Sequence, residues 1–191
     1  VYRKPLVYLD SAATAQKPLQ VLEYEKSLYT TYNANIHRGV HYLSEQMTSI
    51  YEQARKTVAR FIGAKEEAEV IFTAGATASL NLVAYSWSEA FLRAGDVVLV
   101  SQMEHHSNIV PWQLACERHG AELRVLPFDD RGELMMDKLG ELIDERTRLV
   151  AVTEASNTLG TMPDLEPIIA KAHAVGAVVM VDGCQGIVHG G

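Results

Sequence analysis

The chain has 191 residues, 48% of them apolar, and a formal net charge of −7; this is enough apolar material for one sizeable core, while the negative balance argues against a phosphate-backbone binder, which needs clustered Lys and Arg. Only two cysteines occur, Cys116 and Cys184, neither in a CxxC pair, which excludes a disulfide framework and points to a reducing, cytoplasmic setting. No apolar run approaches the roughly 20 residues that cross a bilayer, and the first residues lack the order of a signal peptide.

From the N-terminus to residue 64 the pattern is helical, with no convincing central strand, and reads as an N-terminal arm. Its clearest helix runs from Ser44 to Ile62, where Met47, Ile50, Tyr51, Ala54, Val58 and Phe61 recur at helix spacing. Ser44 is a suitable cap and Gly63 a suitable stop. His37 and His41 are four apart, but the intervening Arg38-Gly39-Val40 is a poor helix and argues against a zinc pair.

Residues 65–191 alternate short β-branched runs with helical stretches. Strands are expected at Val70–Thr73, Val97–Ser101, Glu122–Leu126, Leu149–Thr153 and Ala177–Val181. Gly63, Gly120 and Gly176 each precede an Ala and a later strand, as where a helix closes on a left-handed residue. This implies an α/β fold, mainly parallel, with helices on both faces and ligands at the carboxyl ends of the strands.

Four polar stretches sit at those ends. Thr73-Ala74-Gly75-Ala76-Thr77-Ala78 opens a helix with little side-chain bulk, which suits a phosphate cradle or, alternatively, a tight turn capped by Thr77. Ser101 to Asn108 places His105 and His106 after a strand; adjacent side chains there diverge, so the Glu-His-His run is a poor metal site. Thr153 to Thr161 is a polar turn ending in a Gly-containing bend. Val178 to Val181 delivers Asp182 at a strand end, with Gly183 turning the chain; Asp182 is a cofactor carboxylate or the cap of the next helix.

The strings Tyr8-Leu9-Asp10-Ser11-Ala12-Ala13, Ile36-His37-Arg38-Gly39, Gln102 to Trp112 (QMEHHSNIVPW) and Val181-Asp182-Gly183-Cys184-Gln185 resemble the SufS-like, group II cysteine desulfurases and selenocysteine lyases. These belong to the class V aminotransferase-fold enzymes. The resemblance implies fold type I, pyridoxal 5'-phosphate (PLP) as cofactor, a homodimer, and removal of sulfur from cysteine to leave alanine. An enzyme persulfide would then pass sulfur to an acceptor protein, with iron–sulfur cluster assembly as the setting.

By the same resemblance Asp182 would pair with the pyridine nitrogen and His105 would stack on the ring, the two forming the catalytic pair. Gln185 would meet the ring hydroxyl and Asn157 the same edge. Thr77 with the helix-start amides, Ala76 among them, would take the phosphate, and His37 would lie on the substrate side. Ala74, Ala76 and Glu154 stand where Arg, Thr and His are common in the family.

The family's Schiff-base lysine, sulfur-accepting cysteine and carboxylate-binding arginine fall beyond residue 191. Lys171, inside the helical stretch Leu165–Val175, reads as a solvated-face residue, and Cys184 as a small packing residue. The 191 residues alone are therefore expected to bind PLP noncovalently and not to turn over. Competing readings are another class V enzyme, of the isopenicillin-epimerase or kynureninase kind, and a non-catalytic cofactor-holding or dimerisation module.

Overall fold

The computed structural model describes residues 3–189. The chain divides between Phe72 and Thr73 into two compact units.

The first unit is helical. Helix α1 (Leu19–Ser27) continues into a π-helical turn at Leu28–Tyr32, and α2 spans Tyr42–Phe61. The N-cap of α2 is His41, whose Nδ1 accepts from the Ser44 N–H at 3.4 Å, so the expected Ser44 cap is corrected. Ser44 is instead wholly buried one turn further in. Its hydroxyl donates to the Asn35 carbonyl at 2.6 Å and accepts from the Gly39 N–H at 3.1 Å, tying down the preceding loop. Gly63 ends the helix at φ 70°, as its position in the sequence implies.

The expected strand at Val70–Thr73 does not form: Val70 is extended, and none of the segment's four residues joins a ladder. Its backbone groups are used locally: the Val70 N–H donates to the Glu67 carbonyl at 3.1 Å, and the Arg55 guanidinium donates to the Val70 carbonyl. β-branched content favours extended backbone, but a strand also needs a neighbour.

In the second unit the elements follow as α3 (Ala76–Phe91), β1 (Val97–Ser101), α4 (Val110–His119), β2 (Glu122–Leu126), α5 (Leu139–Leu142), β3 (Thr147–Thr153), α6 (Glu166–Ala174), β4 (Val178–Asp182) and α7 (Gly186–His189). The four strands form one sheet in the order β2-β1-β3-β4, parallel throughout. This is the α/β architecture expected from the strand–helix alternation, and β1 and β2 have the expected bounds. α4 and α6 both lead into left-handed glycines, Gly120 at φ 68° and Gly176 at φ 79°.

The pleat divides the core between the two faces. Leu99, Val150 and Val152 pack with Leu139, Ile168 and Ala172 on one side. Val98, Val100, Leu149 and Ala151 pack with Ala84, Leu92, Trp112 and Cys116 on the other. β1, with a strand on each side, is buried along its whole length, whereas the edge strands β2 and β4 are each partly exposed. Burial pushes the Cys116 thiol up to about 11, which makes it an inert packing group.

Candidate active site

The chain leaves β1 toward β2 on one side and later returns to place β3 and β4 on the other. Connections above the sheet therefore diverge between β1 and β3. In open parallel sheets this switch point opens a crevice beyond the carboxyl ends of the strands. The turns after β1 and β3, together with the end of β4, carry His105, Asn157 and Asp182.

Asp182 is the last residue of β4 and is 8% exposed. Its Oδ1 accepts from the Cys184 N–H at 3.0 Å, so part of the capping alternative is realised in the turn itself. Oδ2 makes no hydrogen bond among the described residues. The backbone is fixed to β3: Thr153 lies opposite Asp182 in the register, and the Glu154 N–H donates to the Asp182 carbonyl at 3.0 Å. Cys184 is exposed, which corrects its reading as a packing residue.

His105 caps a short 3-10 turn (His106–Asn108) and is exposed. Its Nδ1 accepts from the Ser107 N–H at 3.2 Å, with the Ser107 hydroxyl 2.7 Å away. Because a backbone N–H can only donate, the neutral ring carries its proton on Nε2. The rings of His105 and His106 meet edge-on at 6.1 Å.

The turn after β3 is organised by Ser156, which is 4% exposed. Its N–H donates to the Thr161 carbonyl at 2.9 Å, and its hydroxyl accepts from the Leu159 N–H at 3.1 Å. Gly160, at φ 73°, closes the bend, and Asn157 is presented on its exposed side. Gln185 lies half-buried in the turn between β4 and α7. Glu154 lies across the same turn, where a Cβ on Gly186 would have to displace its side chain.

At the start of α3, Ala76 and Thr77 are exposed, and no side chain caps the helix. Thr73 stands just outside, its hydroxyl accepting from the Gly75 N–H at 3.3 Å and lying 2.7 Å from the Ser79 hydroxyl. A Cβ on Gly75 would meet nothing within 4 Å. An uncapped first turn leaves N–H groups that can bind an anion.

His37 belongs to the first unit and is described there. It adopts φ 65°, a left-handed conformation uncommon for histidine. Its N–H donates to Thr48 Oγ1 at 3.0 Å, its Nε2 pairs with Glu52 Oε1 at 2.8 Å, and its ring meets Tyr51 edge-on at 5.7 Å. His41 is occupied separately by its capping role. Lys171 is exposed in the last turn of α6, in keeping with the solvated-face reading.

One group at the strand ends escaped the reading of the motifs. Glu104, 8% exposed, accepts from the Thr153 N–H at 2.8 Å, from Asn108 Nδ2 at 2.6 Å and from the Ser101 hydroxyl. Burial lifts its carboxyl above the ordinary value against the pull of these three donors, and the nearby Asp182 charge adds to the rise. The i, i+4 spacing of Glu104, Asn108 and Trp112 was the available signal; the partner at Thr153 is 49 residues away.

The family model for aminotransferase class-V matches residues 7–191. A cysteine desulfurase of Enterobacter sp. (strain 638) is 51% identical over 185 residues, covering 97% of this chain and 46% of that protein. Among solved structures, the Escherichia coli cysteine desulfurase CsdA in its S-sulfonic acid form superposes with a TM-score of 0.85 at 41% identity, over 96% of this chain and 46% of that one. The apo cysteine desulfurase of Thermococcus onnurineus NA1 gives a TM-score of 0.86 at 39% identity, over 92% and 43%. The chain thus spans about half the length of the relatives it matches. With a family match running almost from end to end, it belongs to the class-V aminotransferases.

Proposed function

We propose that the whole protein is a PLP-dependent cysteine desulfurase of the SufS-like group, taking cysteine or selenocysteine and leaving alanine. In this reading residues 1–64 are an N-terminal arm and residues 65–191 the first part of the large PLP-binding domain. The carrying observation is the set at the switch point. There a buried carboxylate with one oxygen unbonded within the described residues stands on β4, and an imidazole follows β1. The uncapped start of α3 lies in the same unit.

These residues fit the cofactor. A pyridinium N–H needs an acceptor that stays negative, and Asp182 Oδ2 is available for one. A phosphate needs unpaired N–H groups and a positive dipole end, which the first turn of α3 offers at Ala76 and Thr77. When bound, PLP supplies an electron sink for charge developing on the substrate carbon.

The chain's own residues divide the remaining work. Asp182 would hold the ring nitrogen in its protonated form, while His105 would face the ring with a proton at Nε2, its Nδ1 being occupied by Ser107. Asn157 and Gln185 would hold the ring edge. His37, fixed in its strained conformation by Thr48 and Glu52, is assigned to the substrate side.

A homodimer accords with the apolar side chains that the first unit leaves exposed, among them Leu19, Leu22 and Tyr24 on α1. The exposed Cys184 and buried Cys116 are both free thiols, which accords with a cytoplasmic protein handing sulfur to an acceptor. Among the described residues no helix is long and apolar enough to cross a membrane.

The full-length protein incubated with PLP should acquire a visible absorption band and release alanine from cysteine or selenocysteine. Absence of both the band and alanine removes the reading.

A further inference from the structure

The roles above leave unused the most heavily bonded carboxylate at the strand ends. Glu104 Oε1 accepts from the Thr153 N–H at 2.8 Å and from the Ser101 hydroxyl, and Oε2 accepts from Asn108 Nδ2 at 2.6 Å. Asn108, wholly buried, accepts in turn from Trp112 Nε1 at 3.2 Å.

Direction along this chain of bonds is not free. An indole N–H can only donate, so the Asn108 carbonyl must face Trp112 and its amide nitrogen must face Glu104. Thr153 presents a backbone N–H, which also can only donate. Both oxygens at position 104 therefore have to accept, a demand that a carboxylate meets and a carboxamide cannot. A glutamine would set N–H against N–H toward Asn108 in one orientation and toward Thr153 in the other.

The bonded partners also lead to the proposed PLP contacts. Glu104 immediately precedes His105. Thr153 is the register partner of Asp182, and its hydroxyl donates to the Ala155 carbonyl at 2.9 Å with the Asp182 carbonyl 3.4 Å away. One side chain thus joins the end of β1, the end of β3 and the His105 turn, and is one residue removed from each proposed ring contact. We propose that Glu104 is a positioning residue, a clamp that sets the spacing between His105 and Asp182 and whose bond polarity is dictated by Trp112. This rests on the PLP reading of the site and deepens it.

The test uses the full-length protein titrated with PLP, followed by visible circular dichroism of the bound cofactor and by thermal unfolding. Glu104→Gln should weaken PLP binding about tenfold or more, the size expected for one opposed buried donor pair, and should diminish the visible dichroic band. Adding Asn108→Asp restores an acceptor opposite every donor: the new carboxylate accepts from Trp112 and from the amide introduced at position 104, with net charge unchanged. The double variant should return to within about threefold of the original affinity and recover the band.

Unchanged PLP affinity and dichroism in Glu104→Gln, whatever its melting temperature, would overturn the clamp, as would a double variant no better than the single one. Should Glu104→Gln fail to fold, the double variant decides: near-original affinity supports the clamp, and a folded protein with affinity reduced tenfold or more overturns it. An unsubstituted protein that takes up no PLP would instead sink the reading of the site on which the clamp depends.

Discussion

Helix α1 buries none of its nine residues, although Leu19, Val21, Leu22 and Tyr24 lie along it, whereas all five residues of β1 in the second unit are buried. Even the 20-residue α2 buries only Ser44 and Ala59. The sheet is covered by its own crossover helices, so the central strands β1 and β3 find neighbours and roof within the unit. Helices in the first unit carry apolar stripes with no such cover inside it. Apolar periodicity reports which face is apolar and says nothing of what covers it.

The sharpest challenge to this contrast is Trp112→Ala in α4. The indole is wholly buried, meets Trp87 edge-on at 6.3 Å and donates to Asn108, so truncation leaves a cavity and an orphaned amide. Urea unfolding of the full-length protein should show a loss of about 3–5 kcal/mol. A loss below about 1 kcal/mol would mean that the second unit is less tightly packed than its burial implies.

A smaller effect is expected from pH. Glu104 is held above its ordinary carboxyl value mainly by burial, so the folded state keeps its proton longer than the unfolded chain. Its contribution to stability is therefore fully present below the unfolded value and is lost as pH rises through the raised folded value. Stability relative to Glu104→Gln should accordingly shrink between acidic and neutral pH. A gap that widened with pH would reverse the assigned direction.

The least effect is expected in the first unit. Val40 is 98% exposed, and Val40→Ala should change unfolding free energy by less than about 0.5 kcal/mol. A larger loss would show that a second surface covers this loop in solution.

The legibility of the sequence follows the same division. β1 could be bounded by its apolar, Val-rich run and β2 by the left-handed Gly120 that ends α4 just before it, both local properties. Val70–Thr73 has the same composition but no ladder partner, and pairing is not local. Ser44 looks like a cap in sequence, yet its hydroxyl is claimed by Asn35 and Gly39 from the preceding loop. Asp182 and His105 could be picked out because each follows a strand; the Glu104 clamp could not, since its decisive bond reaches across 49 residues to Thr153.

The most direct measurement is an absorbance titration of PLP into the full-length protein and its Asp182→Ala variant. If Asp182 Oδ2 meets the pyridine nitrogen, the variant should bind PLP at least about tenfold more weakly, the cost of one charged hydrogen-bond partner. Equal affinity in the two proteins would make Asp182 only the cap of its own turn and would contradict the proposed site.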